Sequence, residues 1–282
     1  MKKIVGIIWI LVIMAGTSMA QNVMDGVYVK EHVPERKVVP YAFLREADVM
    51  WSKRVWRVLD LNEKINHPLK YPVSKSTKDR RNLIDVVMDA AAEGTLTAYK
   101  PTDDDDFTVR MTPEEFEKIG GAGVDTLMVP SPDPPYDPVQ TIVKREFSRD
   151  WVMAYRIKED WFFDKQRSVL DVRIIGIAPL MYSRDDKGNL REPLQTQPLF
   201  WVYFPEARKV FANAEVFNRY NDAERKTYDD IFWKRMFSSY VTKESNVMNR
   251  RIQDYMTGLD ALLEAERVKE DIFNLEHDLW EF

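Results

Sequence analysis

The sequence predicts an α+β fold: a mixed or mainly antiparallel sheet with flanking helices and a helical C-terminal region. Three observations carry that class. Between Thr141 and Phe204 the chain runs through segments rich in β-branched and aromatic residues, interrupted by the turn-forming SRDDKGN at Ser183 to Asn189. Beyond Asn221, apolar residues recur at helical intervals. The front third mixes both patterns.

Taken in order, the chain opens with Lys2 and Lys3 ahead of an apolar run from Ile4 to Ala15. Ser18, Met19 and Ala20 then offer small residues where a signal peptidase cuts, so residues 1–20 read as a cleaved signal peptide. The apolar run is well short of the roughly 20 residues that span a bilayer. Residues 21–40 carry two prolines and little periodicity, which predicts an extended arm. Trp51, Val55, Val58 and Leu59 fall at helical spacing, predicting a helix that stops near Asp60. A second helix is expected to begin after Ser76 or Thr77, to carry Leu83, Ile84, Val87 and Ala91 as its apolar stripe, and to stop at Gly94. Leu96 to Tyr99 reads as a short strand. Thr112-Pro113-Glu114-Glu115 is a capping box with proline at the first helical position, which predicts a short helix to Ile119 terminated by Gly120-Gly121.

PSPDPPYDP, residues 130–138, places five prolines in nine residues, a density that no helix interior or central strand accepts. It is expected to divide a front α+β subdomain, 41–129, from a back one, 139–282; a single domain with a decorated loop is the alternative. In the back part strands are expected at Thr141 to Phe147, Trp151 to Ile157 and Val169 to Pro179. Pro198 to Phe204 is expected to pair antiparallel with the last of these. Tyr228, Ile231, Phe232 and Met236 mark one helix, and Met248, Ile252, Tyr255, Met256, Leu259 and Leu263 mark a longer one.

Composition narrows the function. The chain has no cysteine, which excludes disulfides, thiolate nucleophiles, Cys-ligated zinc and an acyl anchor on an N-terminal cysteine. Removing Lys2 and Lys3 from the 41 basic residues leaves 39 against 46 acidic ones, a formal net charge of −7. That balance argues against a nucleic-acid partner.

No catalytic signature emerges. Asp103 to Asp106 lacks the spacing of an EF-hand loop, and adjacent carboxylates on an extended chain point in alternating directions. His32, His67 and His277 have no partner at zinc-binding spacing, and neither a G-x-S-x-G elbow nor a Gly-rich phosphate loop is present. No cofactor or metal is expected. Glu159, Asp160 and Asp164 lie beside Trp161, Phe162 and Phe163, and this supports the alternative of a periplasmic glycan-binding protein or glycoside hydrolase. The dominant signal is an abundance of large side chains among charges: 12% aromatic residues, the type that anchors protein interfaces. Trp51, Arg54, Trp56, Arg57, Trp161, Phe162 and Phe163 are the interface candidates, with a core role for the aromatics as the competing reading.

Several long segments carry a resemblance in the same order: LREADVMWSKRVWRVLDLNEKINHPL at Leu44 to Leu69, IKEDWFFDKQRSV at Ile157 to Val169, RIIGIAP at Arg173 to Pro179 and LFWVYFPEAR at Leu199 to Arg208. They continue with VFNRYNDAERKTYDDIF at Val216 to Phe232, ESNVMNRRIQDYMTGLDALLEAE at Glu244 to Glu266 and EHDLWEF at the end. Together they resemble the GldN/PorN family of the type IX secretion and gliding machinery. The resemblance implies a periplasmic ring component with no catalytic residues, associated peripherally with the outer membrane. It implies assembly with a GldK/PorK-type outer-membrane lipoprotein, copies of itself in a ring, and contact with a GldM/PorM-type motor component. The arm and the Pro-rich run suit docking across a neighbour, because a pre-extended segment loses less entropy on binding. Some family members carry a further C-terminal tail, and nothing residing there is carried over.

Overall fold

A computed structural model describes residues 35–73, 80–130, 138–145, 147–184, 189–192, 195–221 and 223–278. The expected signal peptide and most of the expected arm, 21–34, lie outside the described residues. The chain divides into two compact units, Met1–Arg36 and Lys37–Phe282. The elements below belong to the second.

In chain order they are β1 (Val49–Asp60), α1 (His67–Lys70), α2 (Leu83–Ala92), β2 (Ala98–Tyr99), α3 (Pro113–Glu117), β3 (Gly123–Pro130), β4 (Pro138–Arg145), β5 (Val152–Asp164), β6 (Val169–Tyr182), β7 (Thr196–Pro198), β8 (Trp201–Tyr203), α4 (Phe204–Asn213), α5 (Tyr228–Trp233), β9 (Tyr240–Glu244) and α6 (Leu259–Asp278). The α+β class holds. A seven-stranded sheet runs in the order β2-β8-β6-β5-β1-β9, with β7 also paired to β6, and β3 pairs with β4 alone. Every strand ladder is antiparallel.

The segment expected to be the first helix is β1. Trp51, Val55 and Leu59 are four residues apart, a spacing that puts side chains on one face of a helix and equally on one face of a strand. Val58 completes the helical appearance only because the sheet is covered on both faces: Val58 packs with Ala154 and Leu180 on one side, while Leu59 joins the main core on the other. The β-branched and aromatic content of VMWSKRVWRVL decides for strand.

β1 also decides the domain question. It lies between β5 and β9, and β2 lies beside β8, so strands from both sides of the Pro-rich run share one sheet. Pro130 and Pro138 face each other at the end of the β3–β4 ladder, so that run joins two strands of a hairpin instead of two subdomains. Residues 131–137 themselves lie outside the described set.

The helices follow their caps. Asn82, not a residue near 76, opens α2, its side chain accepting from the Asp85 N–H at 2.8 Å. Gly94, at φ +76°, closes the turn after that helix. α3 forms with the expected capping box, Thr112 Oγ1 and the Glu115 carboxylate each accepting from the other's backbone N–H. Besides α1, β3 and β7, two further elements escaped the sequence pattern. α4 buries Phe204, Ala207, Arg208, Phe211 and Ala212 at helical spacing, and β9 interrupts a region expected to be wholly helical. The long C-terminal helix starts at Leu259 and not near Met248, because Asn249 and Gly258 both sit at positive φ and break any earlier helix.

Alternation sends odd-numbered β1 residues to the helix-covered face. There Leu59, Tyr155, Ile157, Ile177 and Val202 pack under α2, α4 and α5, while Val55 and Val241 pack under Ala265, Val268 and Ile272 of α6. Tyr228 is wholly buried among these rings and donates its hydroxyl to the Arg81 carbonyl at 2.7 Å. Burial pushes its phenol well above the ordinary value of 10, so the folded chain keeps a proton that the unfolded chain loses. This contribution is complete below pH 10 and is lost as pH rises further. Tyr228→Phe is expected to lower stability by about 1 kcal/mol at neutral pH and to flatten the decline above pH 10. Urea unfolding at both pH values checks the two effects.

Candidate functional site

The interface candidates come together on two central strands. β1 and β5 pair with Trp51 opposite Phe163, Ser52 opposite Phe162, Lys53 opposite Trp161, Arg54 opposite Asp160, Trp56 opposite Lys158 and Arg57 opposite Ile157. IKEDWFFD is therefore not a segment between strands: it is the second half of β5, and Asp164 turns the chain into β6 by accepting from the Gln166 and Arg167 N–H groups. Its aromatics sit in the middle of the sheet, since β6 flanks β5 on the other side.

Alternation separates the candidates by face. On the helix-covered face, Glu159 is fully buried, and Arg235 grips it with Nη1 to Oε1 at 3.0 Å and Nη2 to Oε2 at 3.2 Å. Trp161 donates Nε1–H to the same carboxylate at 3.2 Å, and the Arg235 guanidinium lies over its ring at 5.4 Å. Arg57 lies on this face too. It donates Nε–H to Ser239 Oγ and Nη2–H to the Ser239 carbonyl, and burial lowers its pKa. Trp51 remains partly exposed beside Ile272 and Leu275, where an open groove of about 390 Å³ separates the start of β1 from α6.

On the opposite face, Arg54 forms a two-pronged pair with Asp160 at 2.6 and 2.7 Å. Phe162 is buried under the Arg173 guanidinium, which stands 5.1 Å from its centroid. Trp56 packs with Ala178 and Trp201, joined by Tyr99 and Phe107. Trp56 and Phe162 are thus core residues, and of the seven candidates Trp51, Arg54, Arg57, Trp161 and Phe163 retain part of their surface.

The acidic run finds its place on this face as well. Asp105 and Phe107 adopt positive φ, a conformation that draws the loop inward. Asp105 accepts from Trp201 Nε1 at 2.7 Å, its carbonyl accepts from Lys158 Nζ at 2.6 Å, and Phe107 closes over Gly176, where a Cβ would come within 2.3 Å of its ring. Burial raises the Asp105 carboxyl above its ordinary value despite the Arg156 charge and the indole hydrogen bond. Asp104 instead accepts from Asn249, and Asp106 from Thr102 and Thr108. The carboxylates of Asp104, Asp105 and Asp106 thus take different partners.

The geometry also speaks to the hydrolase alternative. Glu159 and Asp160 project from opposite faces of one strand, and Glu159, Asp160 and Asp164 are each clamped by an arginine. A glycosidase needs two carboxyls flanking one bond, about 5–9.5 Å apart across an open cleft. His67 starts α1 and packs edge-on against Tyr71, while His277 lies near the end of α6. His32 lies outside the described residues.

Sequence reasoning missed the anchors of these groups. Arg208 on α4 is buried, pairs with Asp229 at 2.8 and 3.1 Å, and lies 4.5 Å from the Tyr41 ring and 4.7 Å from that of Trp233. It also donates to the Val39 carbonyl, and Arg173 donates to that of Ala42, so two cations hold the segment entering β1. The available signal was an arginine four residues after Phe204 on the apolar stripe of α4.

A family model described as gliding motility associated protein GldN matches residues 44–281. The chain belongs to the GldN family. The match begins at Leu44, just before β1, and runs past the end of α6, so the whole sheet and its helices are the GldN-family fold in this chain. That description associates the family with gliding motility. No curated protein matches this GldN-family chain. Among the described residues no helix is long and apolar enough to cross a membrane.

Proposed function

We propose that this GldN-family chain is a structural and coupling subunit of the periplasmic ring of the type IX secretion system. It is exported through its signal peptide and held at the outer membrane by a GldK/PorK-type lipoprotein. It repeats with copies of itself and touches a GldM/PorM-type motor component, which supports secretion and, where the organism glides, motility. The observation that carries the reading is the family match over 44–281. Physical support comes from α6, which exposes Leu259, Leu262, Leu263 and Phe273 along its outer side. An exposed apolar stripe on a folded chain marks a protein contact, and a head-to-tail contact that closes builds a ring.

Affinity purification of the tagged chain from detergent-extracted envelopes is expected to recover the lipoprotein and the motor component. Recovery of the chain alone, under conditions that preserve envelope complexes, counts against the proposal. Within the complex, Trp51→Ala is expected to weaken association at least tenfold while costing the isolated subunit only about 1–2 kcal/mol, since the indole is half-buried beside the α6 groove. A sedimentation titration paired with a thermal melt separates the two effects. A large loss of subunit stability with unchanged association would make Trp51 a core residue.

A further inference from the structure

β9 covers only half of β1. Its ladder pairs with Val55 to Val58, and the bond from the Ser245 N–H to the Arg54 carbonyl, 2.9 Å, ends it. On the same side the Trp56 carbonyl accepts from Thr242 Oγ1 at 3.2 Å. Backbone groups of alternate residues point to one side of a strand, so the N–H and C=O of Ser52 face the way those of Arg54 and Trp56 do. Among the described residues no strand, turn or side chain takes them up. Val49 to Lys53 is therefore an open sheet edge, about 17 Å long.

Natural sheets commonly blunt such an edge with charged side chains. Here Lys53 and Arg54 are folded back into ion pairs with Glu244 and Asp160, each at 2.6 Å, while Met50 and Ser52 are exposed. An open groove flanks the edge on each face: one of about 390 Å³ toward Ile272 and Leu275 of α6, the other of about 420 Å³ toward Asp104 and the turn at Ser245 to Asn249. Ser52 and Lys53 line both. A strand added along the line where the grooves meet sends alternate side chains into each.

A second open edge lies in the same chain. β3 and β4 pair only with each other, and among the described residues no other element packs extensively on them. A lone two-stranded hairpin is at best marginally stable in water, so this one lacks a third strand. Within one copy the two open edges belong to separate sheets. The sequence of β4, PVQTIVKR, is rich in β-branched residues and ends on Lys144 and Arg145, whereas β3 carries Asp125 and no basic residue. The grooves beside β1 are acidic in balance. Arg54 and Lys53 are taken by Asp160 and Glu244, which leaves Asp104 and Asp271 without a cation at ion-pair distance among the described residues. This complementarity favours β4 over β3 as the added strand.

We propose that β4 of one copy adds to the free half of β1 in the next copy, with the Ser52 N–H and C=O in the new ladder. The contact joins two different surfaces head to tail, so each copy engages two neighbours and the series closes into a ring. It rests on the proposed repetition of the chain and names the two surfaces that meet.

The chain has no cysteine, so introduced thiols report the contact without background. Ser52→Cys is combined in one chain with a cysteine at each β4 position in turn, Thr141→Cys among them. Envelopes are oxidised mildly and run on denaturing gels without reductant. Directly opposed residues on paired strands lie about 4.5–5.5 Å apart at Cα, within the roughly 7 Å that a disulfide spans. The expected result is a ladder of disulfide-linked multimers, strongest at one β4 position, weak or absent at its immediate neighbours, and missing when either cysteine stands alone. Three outcomes overturn this contact while the chain still elutes in a large complex, which leaves the ring reading standing: no link at any β4 position, a link confined within single chains, or a link between two Ser52→Cys edges. Elution of the chain as a monomer from envelopes whose other complexes are intact overturns both.

Discussion

Glu159→Ala is expected to lower the free energy of unfolding by about 3–5 kcal/mol. Glu159 is fully buried on the helix-covered face of β5, and its two oxygens receive both outer nitrogens of Arg235 and the Trp161 indole N–H. Deleting the carboxylate leaves Arg235 and Trp161 without their acceptor and leaves a void among packed groups. Arg235 retains some access to water, which places the expected loss toward the lower end of that range. Glu159→Gln preserves shape and one acceptor oxygen but not the charge, so its cost should be intermediate. Equilibrium urea unfolding of the three proteins measures the series; a loss under 1 kcal/mol for the alanine variant would show that the pair is not structural.

Arg208→Ala is expected to act through a different route, lowering stability by about 3 kcal/mol and freeing the segment that leads into β1. Arg208 is the common partner of Asp229, the Val39 carbonyl, Tyr41 and Trp233. Without it, Asp229 loses its counter-ion, and Tyr41 keeps only its stack on Trp233 and the Arg173 guanidinium 5.1 Å from its ring. The distinctive result is local: amide exchange over residues 37–44 should accelerate more than exchange in β5 or β6. Uniform acceleration throughout the sheet would instead make Arg208 an ordinary core residue. Arg208→Lys should rescue little, because an ammonium cannot reproduce the two-pronged pair and the planar stack together.

Glu159 and Arg208 show where the sequence was legible and where it was not. Caps and turns were readable because their chemistry is local: Thr112 to Glu115 and Gly94 do what their residue types require. The β6–β8 pairing was readable because two β-rich segments flank a turn. β1 was not, since Trp51, Val55 and Leu59 satisfy both periods and a sheet covered on both faces adds Val58 to the helical pattern, leaving the β-branched and aromatic content as the signal for a strand. α4 was obscured by the strand immediately before it, which leads from Tyr203 directly into the helix at Phe204.

The candidates singled out from the sequence lie on β1 and β5, and their faces were not distinguished. Trp56 and Phe162 turn inward while Arg54 and Trp51 keep contact with solvent, and that distinction depends on the register between β1 and β5. The partners that fix each group are 76 residues away for Glu159 and Arg235 and 106 for Arg54 and Asp160. Nothing local marks such pairs. The charges beside the aromatic run, read as a candidate active site, are instead the ion pairs that allow a polar strand to occupy the middle of a sheet.

The central claim is that this GldN-family chain works as a repeated subunit of an envelope assembly. Size-exclusion chromatography of detergent-extracted envelopes, followed by immunodetection of the chain, tests it most directly. The account predicts elution in a complex far larger than the 33.2 kDa chain, in the same fractions as an outer-membrane lipoprotein. Elution as a free monomer from extracts in which other large envelope complexes remain intact would contradict it.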